Sequence, residues 1–404
     1  METVRKLFCG FVFSSVVFGG AALAGDWQHY RGPSGNGIAS ESCKIPTSGT
    51  APVLWRVKVG TGTSSAVVGG GRLYTMGHQD ASDVVSCLDA ETGAVVWTFK
   101  YPVSLDANMF EGGPRSTPTL SGDCVYTLGH EGQLYCLEAV SGAVRWQRHL
   151  AKEFGGRKPS WGYSGAPLVT GGRLFVDAGA VGGSTLALDA KTGELVWKTG
   201  SDIAGYAAPL ILALEGRPTL VLFKAQAIVG YSPEDGRELW RHPWRTDYNV
   251  NAATPLQVGP NRVLISSGYN QGAAMLAVEG GRVSEVWRNK NLRCHINSPV
   301  QWGNAVFGVD GNTGGGNLVC LDPATGAKRW EEKSVKGGGL IAADGKLLLV
   351  SEKGDLVVAQ ASGEGFQQVL RQTVFSQRTW AQPVLSNGRL YLRTNLGELA
   401  CLSL

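Results

Sequence analysis

The sequence predicts an all-β chain folded as an eight-bladed β-propeller of four-stranded antiparallel blades, and three observations predict it. A ten-residue phrase recurs: LDAETGAVVW at 88–97, LEAVSGAVRW at 137–146, LDAKTGELVW at 188–197 and LDPATGAKRW at 321–330, with looser copies YSPEDGRELW ending at Trp240 and LAVEGGRVSEVW ending at Trp287. The six tryptophans stand 49, 51, 43, 47 and 43 residues apart, and a self-similar period in the forties marks a repeat architecture. Helical periodicity is nearly absent, while short alternating runs bounded by glycine and small polar residues fill the chain.

Each element of the phrase has a physical reading. Runs such as VVSCLD and GQLYCLE alternate as strands with one buried face do. The acidic and small polar residues after them favour a turn, and Gly93, Gly142, Gly193 and Gly326 supply positive φ where the chain reverses. A second strand then ends in tryptophan. Upstream lies another hairpin, as in STPTLSGDCVYTLGH, where TPTL and CVYTLG flank the turn SGD. Each unit is therefore four short strands, which is the composition of a propeller blade.

The blade count follows from the two ends. KLLLVSEKGDLVVAQASGEGFQQVL is a degenerate seventh unit with Val369 or Leu370 where tryptophan belongs. The eighth, AQPVLSNGRLYLRTNLGELACLSL, stops at Leu404 before its fourth strand, whereas APVLWRVKVG near the N-terminus is a fourth strand without a unit. Setting residues 53–59 beside the C-terminal three strands completes the eighth blade and removes the free sheet edge. Seven blades is the alternative count, if the degenerate unit is an insertion.

The LDAxTGxxxW repeat resembles that of the quinoprotein-like (PQQ-like repeat) propeller family over residues 52–404, and the length is most similar to its BamB-like non-enzymatic bacterial members. The stretch DWQHYRGPSGNGIAS, with Trp27 and Arg31-Gly32-Pro33, is similar to the opening of many such proteins. The resemblance implies that Trp97, Trp146, Trp197, Trp240, Trp287 and Trp330 dock neighbouring blades.

Residues 1–24 read as a signal peptide, 25–51 as an N-terminal extension and 52–404 as the propeller. Arg5 and Lys6 precede the apolar run LFCGFVFSSVVFGGAAL, and Ala22-Leu23-Ala24 fits cleavage after Ala24. Cys9 stands at the start of the apolar run, which is wrong for a lipobox and departs from lipid-anchored BamB. The expectation is a periplasmic or secreted protein, monomeric, with no transmembrane segment after cleavage. Export leaves seven cysteines: Cys43, Cys87, Cys124, Cys136, Cys294, Cys320 and Cys401. An odd number leaves at least one thiol free or paired between molecules. Cys87, Cys136, Cys320 and Cys401 share one repeat position and read as packing residues.

Composition agrees. The 57 glycines in 404 residues are about twice the usual ~7 %, as strands and tight turns require. A net charge of +4 without basic runs gives no sign of nucleic acid as a partner.

A site is expected in the links entering each blade's first strand, which crowd the channel mouth. The candidates for ligand or partner binding are Arg115, Trp161, Tyr163, Tyr206, Asn249, Asn251, Arg293, His295, Asn297, Arg378 and Trp380, with Tyr248, Thr379 and Gln382 beside them. Arg, Asn, His and aromatics converging from several blades suit an anionic, sugar-like or peptide ligand, although the same residues also serve to fill a channel.

No catalytic residue is assigned. PQQ-dependent dehydrogenases share the repeat, and the family pattern adds a vicinal disulfide, a calcium held by carboxylate and amide oxygens, and a catalytic Asp. This sequence has no Cys-Cys dipeptide. Asn108, Glu111, Asp247, Asn249 and Asn251 could supply oxygens. The six histidines form no HExxH, the likeness of His78 to His130 follows from the repeat, and no metal site is assigned. The glycine-rich stretches GTGTSSAVVGGG and GPSGNG open no helix and make no phosphate loop. The reading is an exported, non-catalytic binding or scaffold propeller with an envelope protein or glycan as partner. The alternatives are a PQQ-dependent dehydrogenase with calcium, or an extracellular carbohydrate binder using Trp161, Tyr163 and Trp380.

Overall fold

Eight four-stranded antiparallel sheets follow one another along the chain in the computed structural model, which describes residues 25–46, 49–107 and 110–404. Blades one to seven occupy residues 67–102, 119–149, 168–199, 210–243, 256–289, 300–336 and 339–373. The eighth joins 384–403 to the strand Val53–Lys58, in the register Val53 opposite Leu402, Trp55 opposite Cys401 and Lys58 opposite Glu398. The ring is thus closed by the N-terminal strand, and the degenerate seventh unit is a full blade with Leu370 opposite Val358 at the tryptophan position. First strands of neighbouring blades touch, which places them innermost. The single α-helix among the described residues is Leu150–Phe154. None of their helices is long and apolar enough to cross a membrane. Residues 1–24, on which the expected leader, Cys9 and the expected cut after Ala24 fall, lie outside the described residues, as does Asn108.

The recurring phrase is a docking device built from turn chemistry. Asp89 Oδ1 accepts from the backbone N–H groups of Glu91 and Thr92 at 3.1 and 2.9 Å, and Asp189 and Asp322 repeat the arrangement. This Asx turn delivers Gly93 at φ 74°, Gly193 at 71° and Gly326 at 71°, and in blade two, where Glu138 stands in place of the aspartate and accepts from the Ser141 hydroxyl, the turn delivers Gly142 at 74°. On each of these glycines rests the tryptophan of the preceding blade: Trp55 on Gly93, Trp97 on Gly142, Trp146 on Gly193 and Trp287 on Gly326. The indole N–H then donates to a turn carbonyl of that next blade: Trp97 to Ala139, Trp146 to Ala190, Trp197 to Pro233, Trp287 to Pro323 and Trp330 to Ser362, at 2.9–3.1 Å. Glycine is needed twice over, for its φ and for the missing Cβ.

Two departures refine the sequence reading. Trp55, in the closing strand, is a further docking tryptophan, packed on Gly93 beside Tyr391. Trp240 is built differently. Its ring folds over Gly230 of its own sheet, where other blades carry Cys87, Cys136 or Cys320, and its indole N–H finds no partner among the described residues. Blade five turns through Gly280 and Gly281 and lacks the longer Asx turn that offers a carbonyl elsewhere. Trp240 still packs against Val263, Leu276 and Val278 of that blade. All seven described cysteines are free and buried.

Gly142→Ala tests the device. The new Cβ would meet Trp97 at 2.6 Å and sit at φ 74°. The expected loss is about 2–4 kcal/mol, the sum of a left-handed alanine and an overpacked contact, read as a lowered denaturant midpoint. Wild-type stability in the variant would contradict this role for the glycine.

The N-terminal extension is woven into the face opposite the links. Trp27 exchanges backbone bonds with Val68 of blade one at 2.8 and 2.9 Å, and Leu120 of blade two donates to Gln28. Ile38–Ala39 adds a parallel strand to blade seven against Ala342 and Ala343, and Glu41 accepts from Asn387 and Gly388 of blade eight. Between these anchors Arg31 is buried at φ 67°. Its Nη2 donates to the carbonyls of Asn36 and Pro299 at 2.8 and 2.6 Å.

Candidate functional site

The links entering the first strands converge on one cavity of about 340 Å³ at the channel mouth. Arg115, Trp161, Tyr206, His295 and Trp380 line it, together with Tyr30, Phe110, Glu111, Tyr269, Asn312 and Gln382. A second cavity of about 230 Å³ continues the channel toward the opposite face, between the first strands and residues 29–35 of the extension. Tyr30 borders both spaces, so the extension stoppers the channel from below and leaves the upper cavity open to the link face.

Aromatic rings dominate the mouth in three groups. Trp161 meets Tyr206 edge-on at 6.1 Å, Phe110 meets Trp380 at 4.7 Å, and Tyr248, Tyr269 and His295 form a chain with spacings of 5.3 and 4.9 Å. Tyr248 is 70 % exposed and held at φ 62°, ψ 12°, followed by Asn249 at φ 59°. A bulky residue in the left-handed region costs of order 1–3 kcal/mol, and such strain collects at functional positions. Here it presents an aromatic face to solvent at the rim.

The polar groups divide into cavity and frame. Arg115 is half-buried, with its Nη1 enclosed and unpartnered among the described residues; burial lowers its pKa, and the charge of Asp106 is the largest influence opposing that shift. Burial lowers His295 to about 4, and its Nδ1 accepts from the Thr313 N–H at 3.2 Å, so the ring is neutral at physiological pH. Glu111 is engaged on both oxygens, by Arg378 at 2.9 Å and Asn395 at 3.1 Å. Arg378 also lies over the rings of Phe110 and Trp380, 5.6 and 5.2 Å from their centroids, and does not border the cavity.

Other sequence candidates stand elsewhere. Tyr163 is buried between blades two and three, its hydroxyl donating to Ala178 at 2.9 Å; a ring packed there cannot stack on a sugar. Asn251 is fully buried, donating to the carbonyls of Lys224, Ala225 and Trp244 and accepting from Ser267. Arg293 makes a two-pronged pair with Asp310 at 2.8 Å. Asn249 accepts from Gln226 at 3.1 Å, and Asn297 borders a small recess beside the cavity. These residues brace links, because each link must satisfy its backbone groups where it leaves the sheet. Tyr269 and Asn312 are cavity residues that the sequence reading missed. They lie between the second and third strands of blades five and six, turns that open on the same face as the links. The signal was available in GYNQG and DGNTGGG, which carry more than a tight turn requires.

The lining fits a polyanionic quinone poorly. Arg115 is its sole guanidinium and His295 is neutral. The cavity's carboxylate, Glu111, is already held by Arg378 and Asn395, and calcium asks for six to eight oxygens. Of the oxygen donors considered from sequence, Asp247, Asn249 and Asn251 do not border the cavity.

Comparison with known proteins agrees with this architecture. The family model described as outer membrane protein assembly factor BamB matches residues 46–111, 81–332 and 314–403. The outer membrane protein assembly factor BamB of Burkholderia pseudomallei (strain K96243) is 27 % identical over 308 residues, which cover 65 % of this chain and 77 % of that protein. Among solved structures, BamB from Moraxella catarrhalis superposes with a TM-score of 0.66 at 16 % identity, covering 88 % of this chain and all of that one. The quinohemoprotein alcohol dehydrogenase of Comamonas testosteroni gives 0.67 at 13 % identity, covering 94 % and 80 %; at such identities the likeness concerns the fold. With the repeat, the ring and the family match in agreement, the chain belongs to the BamB outer membrane protein assembly factor family.

Proposed function

We propose that the protein is an exported, non-catalytic propeller that binds a protein segment at its link-face mouth during assembly of envelope proteins. The observation that carries this reading is the aromatic mouth, in which Trp161, Tyr206, Tyr269, Phe110 and Trp380 line a cavity with a single guanidinium and the exposed Tyr248 packs outward on Tyr269. Aromatic side chains offer large contact area at low entropic cost, and tyrosine, tryptophan and arginine are the residues that dominate protein-binding energy. The names of the BamB relatives support a role in outer-membrane protein assembly. The charge inventory of the cavity supports a peptide over a quinone, and burial of Tyr163 weakens the carbohydrate alternative.

The test is complementation. In native cells deleted for this gene, outer-membrane β-barrel proteins are expected to fall in abundance, and the wild-type gene to restore them. Tyr248→Ala with Trp380→Ala is expected to fold normally, since Tyr248 is exposed and Trp380 is half-buried in a link outside the blade cores, yet fail to restore them. Fractionation should place the protein in the periplasm. A joint rise in melting temperature with PQQ and calcium, accompanied by dye reduction with alcohols, would overturn the reading.

A further inference from the structure

Beside the mouth, and outside the cavity just described, blades one and two bring together a cluster that docking does not explain. Asp106, from the link between these blades, stands with His130 and Glu131, from the turn between the second and third strands of blade two. One ligand atom from each lies within 4.8 Å of the others. His130 is wholly buried, and neither ring nitrogen has a hydrogen-bond partner among the described residues. The Oδ2 of Asp106 is likewise buried and unpartnered. Buried polar groups normally find partners, and orphaned ones cost about 1–3 kcal/mol each. Two of them facing one another therefore point to a missing shared partner.

The arrangement around His130 indicates what that partner is. Its Nε2 lies 3.7 Å from Glu131 Oε1, and its Nδ1 faces Asp83 Oδ2 at 3.6 Å. Both separations exceed a hydrogen bond, so neither carboxylate satisfies a ring nitrogen directly. Donor atoms of a tetrahedral ion at zinc–nitrogen and zinc–oxygen distances stand about 3.3 Å apart, close to the 3.7 Å seen. Asp83 is fully buried and also accepts from His78 Nδ1 at 3.0 Å and the Tyr101 hydroxyl at 3.3 Å. It stands where a carboxylate that orients a metal-bound histidine stands.

We propose that Asp106, His130 Nε2 and Glu131 form a zinc-binding site with one position open to water, and that the ion pins the blade-one link to blade two beside the mouth. The donor set of one imidazole and two carboxylates suits a first-row divalent ion and is too small for calcium. Two cations face the cluster: Arg115, attracted by Asp106, and Lys158, 2.5 Å from Glu131 Oε1. Lys158 is part-exposed and swings into solvent when the ion enters. Burial raises the thiols of Cys43, Cys87, Cys294, Cys320 and Cys401, so these cysteines do not compete as thiolates.

The experiment uses untagged protein stripped with a chelator and titrated with zinc against a chromophoric competitor, with calcium in parallel. The expected result is one equivalent of zinc with a Kd of about 1 µM or below and a zinc-dependent rise in melting temperature. Asp106→Asn and His130→Gln are each expected to weaken binding at least tenfold. Asp106 is part-exposed, so its variant keeps the metal-free melting temperature and remains informative even where the buried histidine variant fails to fold. Absence of stoichiometric zinc binding, a preference for calcium, or unchanged affinity in Asp106→Asn would overturn the proposal.

Discussion

Replacing Lys224 by methionine is expected to destabilise the propeller by about 3–5 kcal/mol at neutral pH, the usual cost of stripping one partner from a buried ion pair. Lys224 is wholly buried, and its ammonium bridges blade four to blade three. It donates to Asp177 Oδ1 at 2.7 Å, Thr185 Oγ1 at 2.7 Å, and the hydroxyl and carbonyl oxygens of Ser184 at 3.1 and 3.3 Å. Methionine fills the space and leaves Asp177 without its counter-charge. Burial already raises the Asp177 pKa despite Lys224, and loss of the lysine raises it further. A carboxyl whose folded pKa exceeds its unfolded value favours folding below the unfolded value and loses that contribution as pH rises through the folded one. The deficit of Lys224→Met should therefore be smallest in acid and grow toward neutral pH, a trend that denaturant titrations at several pH values would read. A deficit that is flat with pH, or below 1 kcal/mol, would mean that the pair is not coupled as the geometry implies.

The second large effect lies at the seam that closes the ring. Arg393, on the second strand of blade eight, is buried without a carboxylate and clasps blade one through diverging nitrogens. Its Nη1 donates to Ser64 O, Thr75 Oγ1 and Met76 O at 2.7, 2.8 and 2.5 Å, and its Nη2 donates to Gly60 O at 2.8 Å. Arg393→Met should cost about 3–5 kcal/mol, because several buried oxygens lose a charged donor at once. Lysine should not rescue it, since a point ammonium cannot span acceptors that a planar fork reaches in two directions. Desolvation lowers the Arg393 pKa to about 9. A base with a depressed folded pKa gains its stabilising contribution only above that value, so the loss should be constant from pH 5 to 8, unlike that of Lys224→Met. Rescue by lysine, or a loss that varies over this window, would contradict the assignment.

Neither residue drew notice in the sequence. Lys224 lies in FKAQA and Arg393 in YLRTN, where a charge beside a strand end ordinarily reads as exposed. Their partners stand 47 residues away in Asp177 and more than 300 residues away in Gly60. The same distance effect separates the candidate site residues. Trp161, Tyr206, His295 and Trp380 reached the cavity because links face one end of any propeller. Tyr163 and Asn251 have the same residue types in the same links, yet turn into the interblade core.

What the sequence determined by itself was everything carried by local periodicity: strands from alternation, turns from Asp and Gly, the blade from the period in the forties, and closure from the unmatched strand 53–59 and the unfinished C-terminal unit. These follow because hydrogen-bonding pattern and burial repeat within about forty residues and leave their mark on each copy. Only the tertiary structure decided which side chains meet. Trp55 became a docking residue through its pairing with Cys401, Tyr30 stoppers the channel because the extension crosses it, and Asp83, Asp106, His130 and Glu131 share one neighbourhood across two blades. Such meetings depend on the angle and offset between sheets fixed by ring closure, and residues that contribute one atom each to a shared site carry no period to betray them.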